Sequence, residues 1–213
     1  MTSRREATPA SIPAVVRGDA IDVSGIPSYG FGHRSLMWWG TAGMMAIEGS
    51  AFGFMVVIYF YLRSISDTWP YGAHAPDLLW GTVNMVLIIL SAIPMTWVDR
   101  KAIDHDLVNV RRGLVIICVI GFLLMAVRVL EFMHLNVSPT DSAYGSVVWV
   151  LMFLHTFNLV TDYVDNAVLT ALMYKGPLEG KRFVDIAENA GYWNFVVVTW
   201  VPVYLVVYWA PRF

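Results

Sequence analysis

Apolar positions gather into five long stretches, 36–62, 78–98, 113–135, 146–174 and 192–210, with most of the charged residues and prolines collected between them. Each stretch is near or above the ~20 residues an α-helix needs to cross ~30 Å of hydrocarbon. None alternates polar and apolar residues in the manner of a barrel strand, and a spanning segment must satisfy its own backbone polar groups. The pattern therefore predicts an all-α protein, a polytopic membrane bundle of five transmembrane helices filling residues 36–213. Residues 1–35 carry prolines, glycines and charges without an apolar core. They are expected to form a flexible cytoplasmic tail rather than a cleavable signal peptide, so that the first span directs insertion. The longest connection, 175–191, reads as a short cytoplasmic loop, with Gly176-Pro177 closing the fourth span. There is no internal repeat and no connection long enough to fold as a further domain.

The charges between the stretches orient them. The tail holds four Lys or Arg residues (Arg4, Arg5, Arg17, Arg34), the second connection four (Arg100, Lys101, Arg111, Arg112) and the fourth three (Lys175, Lys181, Arg182). The opposite side holds only Arg63 and Arg212. By the positive-inside rule the N-terminus is cytoplasmic and the C-terminus lies on the outer side, as an odd number of spans requires. The net charge of −2 gives no reason to expect nucleic acid as a partner. Composition agrees with the membrane reading, with 57% hydrophobic and 14% charged residues. Cys118 is the sole cysteine, which excludes an internal disulfide and any multi-thiolate metal site.

The informative residues are the polar ones inside the spans. Glu48 lies about 18 Å along the first helix at 1.5 Å per residue, close to mid-membrane, where an unpaired carboxylate is costly. It either ties two helices together as a neutral carboxyl or sits beside a proton or gas pathway. Ala42, Ala46, Gly49 and Gly53 form a small-residue stripe around it, including a Gly-xxx-Gly pair on which another helix can pack closely, so Glu48 is expected to face protein. Arg128 and Glu131, three apart, share a helix face and can neutralise one another. His155, Asn158, Asp162 and Asp165 follow spacings of three, four and three, drawing one polar stripe that must face the bundle interior or a partner. His155 with two aspartates spread over nearly three turns does not converge on a metal ion without other helices. The remaining histidines, His33, His74, His105 and His134, are isolated, and no HxxxH group, phosphate loop or Ser-His-acid set is present. The chain offers no convincing catalytic apparatus of its own.

Several segments, in order, carry a resemblance. Ile47-Glu48-Gly49-Ser50-Ala51-Phe52, Trp80-Gly81-Thr82-Val83-Asn84, Arg112-Gly113-Leu114, Glu131-Phe132, Tyr144-Gly145-Ser146 with Leu154-His155, and Tyr192-Trp193-Asn194-Phe195-Val196 after Glu188 and before Trp200 fall at matching span positions. Together they resemble subunit III of the haem-copper oxidases, in the short five-helix bacterial form of cytochrome c oxidase subunit III. The pattern departs from the family at Asn158 and Asn194, where histidines are usual, at Asp162, where glycine is common, and at Val197, where aspartate is usual. Acid has thus been lost from the last helix and gained on the fourth.

The resemblance implies a non-catalytic subunit that binds no haem, copper or other cofactor itself. It would pack beside a catalytic subunit I that holds haem and copper, with subunit II in the same complex. It would hold structural phospholipids and support oxygen access and proton uptake during proton-translocating aerobic electron transport. Glu48, Arg128, Glu131, His155, Asn158 and Asp162 are the candidate lipid-cleft or proton-region residues, and Gly49 and Gly53 the candidate helix-packing ones. Two other readings stand beside it: an accessory subunit of a nitric oxide reductase of the same family, or a stand-alone transporter or membrane enzyme built on Glu48, Arg128 and Asp162. The odd span count and the absence of an inverted repeat weigh against the last.

Overall fold

The computed structural model describes residues 36–175 and 180–213. The chain divides into residues 1–36 and a compact unit, Met37–Phe213, whose fold is the one set out below. The expected tail, 1–35, lies outside the described residues. Five α-helices follow in order: α1 Leu36–Ser64, α2 Leu78–Ile103, α3 Leu107–Met133, α4 Ala143–Lys175 and α5 Gly180–Tyr204. A π-helical turn, Leu205–Trp209, and a short 3-10 turn, Ala210–Arg212, continue α5 to the end of the chain. All five are long and apolar enough to cross a membrane, and the described residues contain no strand.

The helices outrun the apolar stretches that announced them. α2 continues through Arg100 and Lys101, and α3 begins at Leu107 rather than 113. The link between them shrinks to 104–106, where Asp106 accepts the Asn109 backbone N–H at 3.3 Å and caps α3. The largest correction concerns 175–191, expected as a loop: α5 already begins at Gly180. Apolar length marks where a helix leaves hydrocarbon, not where its hydrogen-bond ladder stops. From 183 onward the segment is amphipathic. Ile186, Ala190, Trp193 and Val197, spaced four, three and four apart, are all buried and carry one packing face into the apolar part of α5.

α2, α3, α4 and α5 form a ring in which each helix packs against two others, in the order α2, α3, α4, α5 and back to α2. Its core is filled by Ile88, Met95, Ile117, Leu124, Leu151, Leu159, Trp193 and Trp200. A smaller cluster, Val98, Ala102, Val110, Leu114, Met173 and Ile186, closes the ring near the α2–α3 link. Large apolar side chains also cover the outside: Phe54, Phe122 and Phe153 are 69%, 67% and 66% exposed, as lipid-facing residues are in a spanning bundle. α1 stands outside the ring and approaches no other helix as closely along its backbone as the ring helices approach one another. It is attached through side chains, with Phe52 beside His155, Tyr59 beside Tyr144 and Gly49 beside Phe195.

Candidate functional site

The polar residues inside the spans gather into three clusters. The first is centred on Arg128 and Glu131. Their side chains meet at 2.8 Å in the intrahelical pair that the spacing suggests, and both are 1% exposed. The pair is also a junction. Glu131 Oε2 accepts a second bond from Asn84 Nδ2 of α2 at 2.6 Å, and Glu131 Oε1 accepts from the Tyr208 hydroxyl at 2.6 Å. Arg128 Nη2 donates to His155 Nδ1 of α4 at 3.0 Å, while its guanidinium lies 3.9 Å from the centre of the Trp200 ring of α5. Because an arginine only donates, His155 Nδ1 accepts, and its Nε2–H donates to the Val196 carbonyl at 2.9 Å. Four helices and the π turn thus converge on one buried ion pair. Such a pair is costly to desolvate and persists when its remaining hydrogen-bonding groups are matched, as most are at this site.

Local sequence makes that convergence possible. Gly81 lies where a Cβ would collide with the Tyr208 ring, so a glycine at this point of α2 admits the tyrosine. Pro202 removes a backbone donor inside α5, and the π turn that follows shortly after carries Val206, Val207 and Tyr208 inward.

The second cluster joins α1 to the ring. Glu48 Oε2 accepts from the Tyr192 hydroxyl at 2.7 Å and from Asn158 Nδ2 at 3.2 Å. Asn158 and Tyr192 are buried, whereas Glu48 is half-buried. The carboxyl therefore faces α4 and α5 as expected of it, and retains an open side. Of the two packing glycines, Gly49 meets Phe195 of α5, with 3.6 Å between that ring and the position of a Cβ; at Gly53 no other element among the described residues comes within 4 Å of that position.

The third cluster lies toward the start of α5. Asn189 Nδ2 donates to Asp162 Oδ1 and to Asp165 Oδ2, each at 3.0 Å. The α4 stripe is thus divided among the three clusters: His155 in the Arg128 junction, Asn158 beneath Glu48 and the aspartates on Asn189. Both nitrogens of His155 are already engaged, which leaves it no lone pair for a metal. Among the described residues no group of three or more His, Cys, Asp or Glu stands close enough to hold a metal ion.

Sequence reasoning did not single out Asn84, Asn189 or Tyr208 as polar partners. Asn84 carried a signal, since a buried amide inside a spanning helix needs a partner, whereas Asn189 fell in the segment expected to be a loop. Tyr208 carried none, because a tyrosine near a span end reads as an interfacial residue.

A family model described as cytochrome c oxidase subunit III matches residues 37–211, a stretch that contains all three clusters. Similar proteins include a cytochrome c oxidase subunit 3 of Synechocystis sp., 25% identical over 182 residues, which cover 83% of this chain and 77% of that protein. Proteins of the same name in Artemia franciscana and Pylaiella littoralis are each 24% identical, over 186 and 158 residues. These alignments cover 84% and 70% of this chain, and 70% and 58% of the relatives.

Proposed function

The chain belongs to the cytochrome c oxidase subunit III family, and on that premise we propose that it is the non-catalytic third subunit of a bacterial respiratory haem-copper oxidase. As a multi-pass membrane protein of this family it is a subunit of an oxidase complex. In the proposed role it packs beside a catalytic subunit I, with subunit II in the same assembly. Haem and copper reside in those partners, and this chain contributes structure, phospholipid contacts and support for oxygen access and proton uptake. Its N-terminus is cytoplasmic and its C-terminus periplasmic. That the relatives from Synechocystis, Artemia and Pylaiella are all named as cytochrome c oxidase subunits favours an oxidase over a nitric oxide reductase.

The observation that carries the reading is the setting of Glu48. Arg128, Glu131 and His155 are enclosed within the ring and bonded to one another, a structural use of polar groups. Glu48 is different: it sits on α1, the helix least covered by the rest of the chain, and is anchored from one side only. A half-buried carboxyl at mid-membrane on a helix with an open face suits contact with a neighbouring subunit or lipid. The test is Glu48→Ala in the purified oxidase. The expected result is normal subunit composition and initial oxygen consumption, with activity that decays faster during turnover. Decay at the wild-type rate would overturn the assignment.

A further inference from the structure

On the inner face of α4, Asp162 and Asn166 stand one turn apart, and Asn189 of α5 lies against the first of them. All three are enclosed: Asn166 is 0% exposed, Asp162 2% and Asn189 4%. Asn189 gives its amide hydrogens to Asp162 Oδ1 and Asp165 Oδ2, each at 3.0 Å. Four polar atoms are then left without a protein partner among the described residues: Asp162 Oδ2, Asn189 Oδ1 and both Oδ1 and Nδ2 of Asn166. Because both amide atoms of Asn166 are orphaned, the count is the same whichever way that amide is turned. Side chains four apart on a helix are neighbours, with Cβ atoms about 5–6 Å apart. Yet no hydrogen bond joins Asp162 to Asn166, and a gap of that kind is bridged by one small molecule. Buried polar groups are costly to leave unpaired, and clusters of them in protein interiors are matched by bound water.

We infer that the ring holds bound water at Asp162, Asn166 and Asn189, supplied from a cleft of about 560 Å³ that opens between α1, α4 and α5. The chemistry of the three groups selects water. Asn166 both gives and takes hydrogen bonds, and so does a water molecule. Water also suits Asp162 in either state, donating to a carboxylate or accepting from an acid. A cation would satisfy the oxygens and leave the Asn166 N–H groups unmatched, while an anion would meet the acceptors of Asp162 and Asn189. A buried water makes about three hydrogen bonds, so the four orphaned atoms correspond to roughly one or two molecules. Asp162 and Asn189 also border the cleft, whereas Asn166 lies behind them in the ring, so water passes inward between the first two. From Asn166 to Lys175, where α4 ends, is about 13 Å of helix at 1.5 Å per residue. Hydration reaches that far and stops, because Leu159 and Met173, to either side along the same helix, are buried and apolar. The site therefore lets an enclosed carboxyl exchange its proton with the cleft without opening a channel through the ring. It depends on the ring's interior alone and stands apart from the role proposed for the assembly.

The complex in which the chain is purified is imaged by electron cryomicroscopy at a resolution that shows ordered water. Density is expected within hydrogen-bonding distance of Asp162 Oδ2, Asn189 Oδ1 and the Asn166 amide. Asn166→Leu replaces the amide by an apolar group of similar size and should lose that density, whereas Asn166→Ser, which keeps a hydrogen-bonding group, should retain it. Exchange with the cleft is read by X-ray radiolysis in 18O-labelled water, since hydroxyl radicals formed from bound water mark the side chains beside it. Ile186, 0% exposed and one turn from Asn189, should take up label well above Ile88, which is as deeply buried in the apolar core. In Asn166→Leu its labelling should fall to the Ile88 level. A site without water density, a direct bond between Asn166 and Asp162, or density that proves to be a metal ion or a partner subunit's side chain overturns the inference. Equal labelling of Ile186 and Ile88 in the unmodified chain overturns the supply from the cleft. The map of the unmodified chain decides the matter even where the leucine variant fails to assemble.

Discussion

Replacing Glu131 by Leu probes the Arg128 junction most sharply. The substitution leaves Arg128, 1% exposed, without its counter-charge, and strands the Asn84 and Tyr208 donors that reach the same carboxylate. Removing one partner of a buried ion pair costs about 3–5 kcal/mol, and each stranded donor about 1–3 kcal/mol. These terms share one carboxylate and do not add in full, which puts the expected loss at about 5 kcal/mol. For a chain of this size, that is on the order of 10 °C in Tm. The double variant Arg128→Met with Glu131→Leu removes both charges together. Replacing a whole buried pair with apolar groups is often close to neutral, so the double variant should recover more than half of the loss.

Cys118 supplies the assay. It is the chain's sole cysteine, it is half-buried in α3, and its sulfur lies 3.4 Å from the Thr170 hydroxyl of α4. Maleimide labelling of Cys118 on heating, read by mass spectrometry of its peptide, follows this chain alone within an intact complex. A single variant within about 1 kcal/mol of wild type, or a double variant as damaged as the single, would refute the junction as the feature holding the four ring helices together.

Other expectations can be checked alongside it. Gly81→Ala places a methyl against the Tyr208 ring and should displace that hydroxyl from Glu131, seen as faster hydrogen exchange across the end of α5; unchanged exchange would mean the ring moves aside freely. Asp162→Leu deprives Asn189 of an acceptor and should lower the yield of assembled complex more than its rate per haem, which unchanged subunit stoichiometry would contradict. Asp106, outside the spans, has its carboxyl held below the usual value of 3.8, first by the Asn109 side-chain hydrogen bond and then by the Asn109 backbone N–H. A depressed acid stabilises the fold above its unfolded value and loses that contribution as pH falls through the folded one. The first turn of α3 should therefore stay protected to below the ordinary aspartate range, whereas Asp106→Ala should fray it at neutral pH, as read from amide exchange at Val108 to Val110.

The helices were legible because hydrophobic length is a direct consequence of bilayer thickness. The start of α5 was not, since residues 180–191 are held by packing of Ile186 and Ala190 rather than by apolar run length. The Arg128–Glu131 pair could be read from its spacing of three, but its ties to Asn84, His155, Trp200 and Tyr208 are tertiary and leave no periodic trace in any one helix. The α4 stripe read correctly as inward-facing at His155, Asn158 and Asp162, while Asp165 is exposed. Periodicity identifies a shared face and does not say which neighbour each residue meets, so the division of that stripe among three clusters became visible only with α1 and α5 in place. Gly81 shows the same limit in another form, because its need for glycine comes from a tyrosine 127 positions away that a π turn directs inward.

The central claim is membership of a working oxidase. Its most direct test is purification of the chain in gentle detergent through an N-terminal tag, with mass spectrometry of the copurifying proteins and a reduced-minus-oxidised haem spectrum. A haem-copper subunit I and oxygen-reducing activity are expected in the same fraction. A colourless chain that purifies alone, or a partner that reduces nitric oxide and not oxygen, would contradict the account.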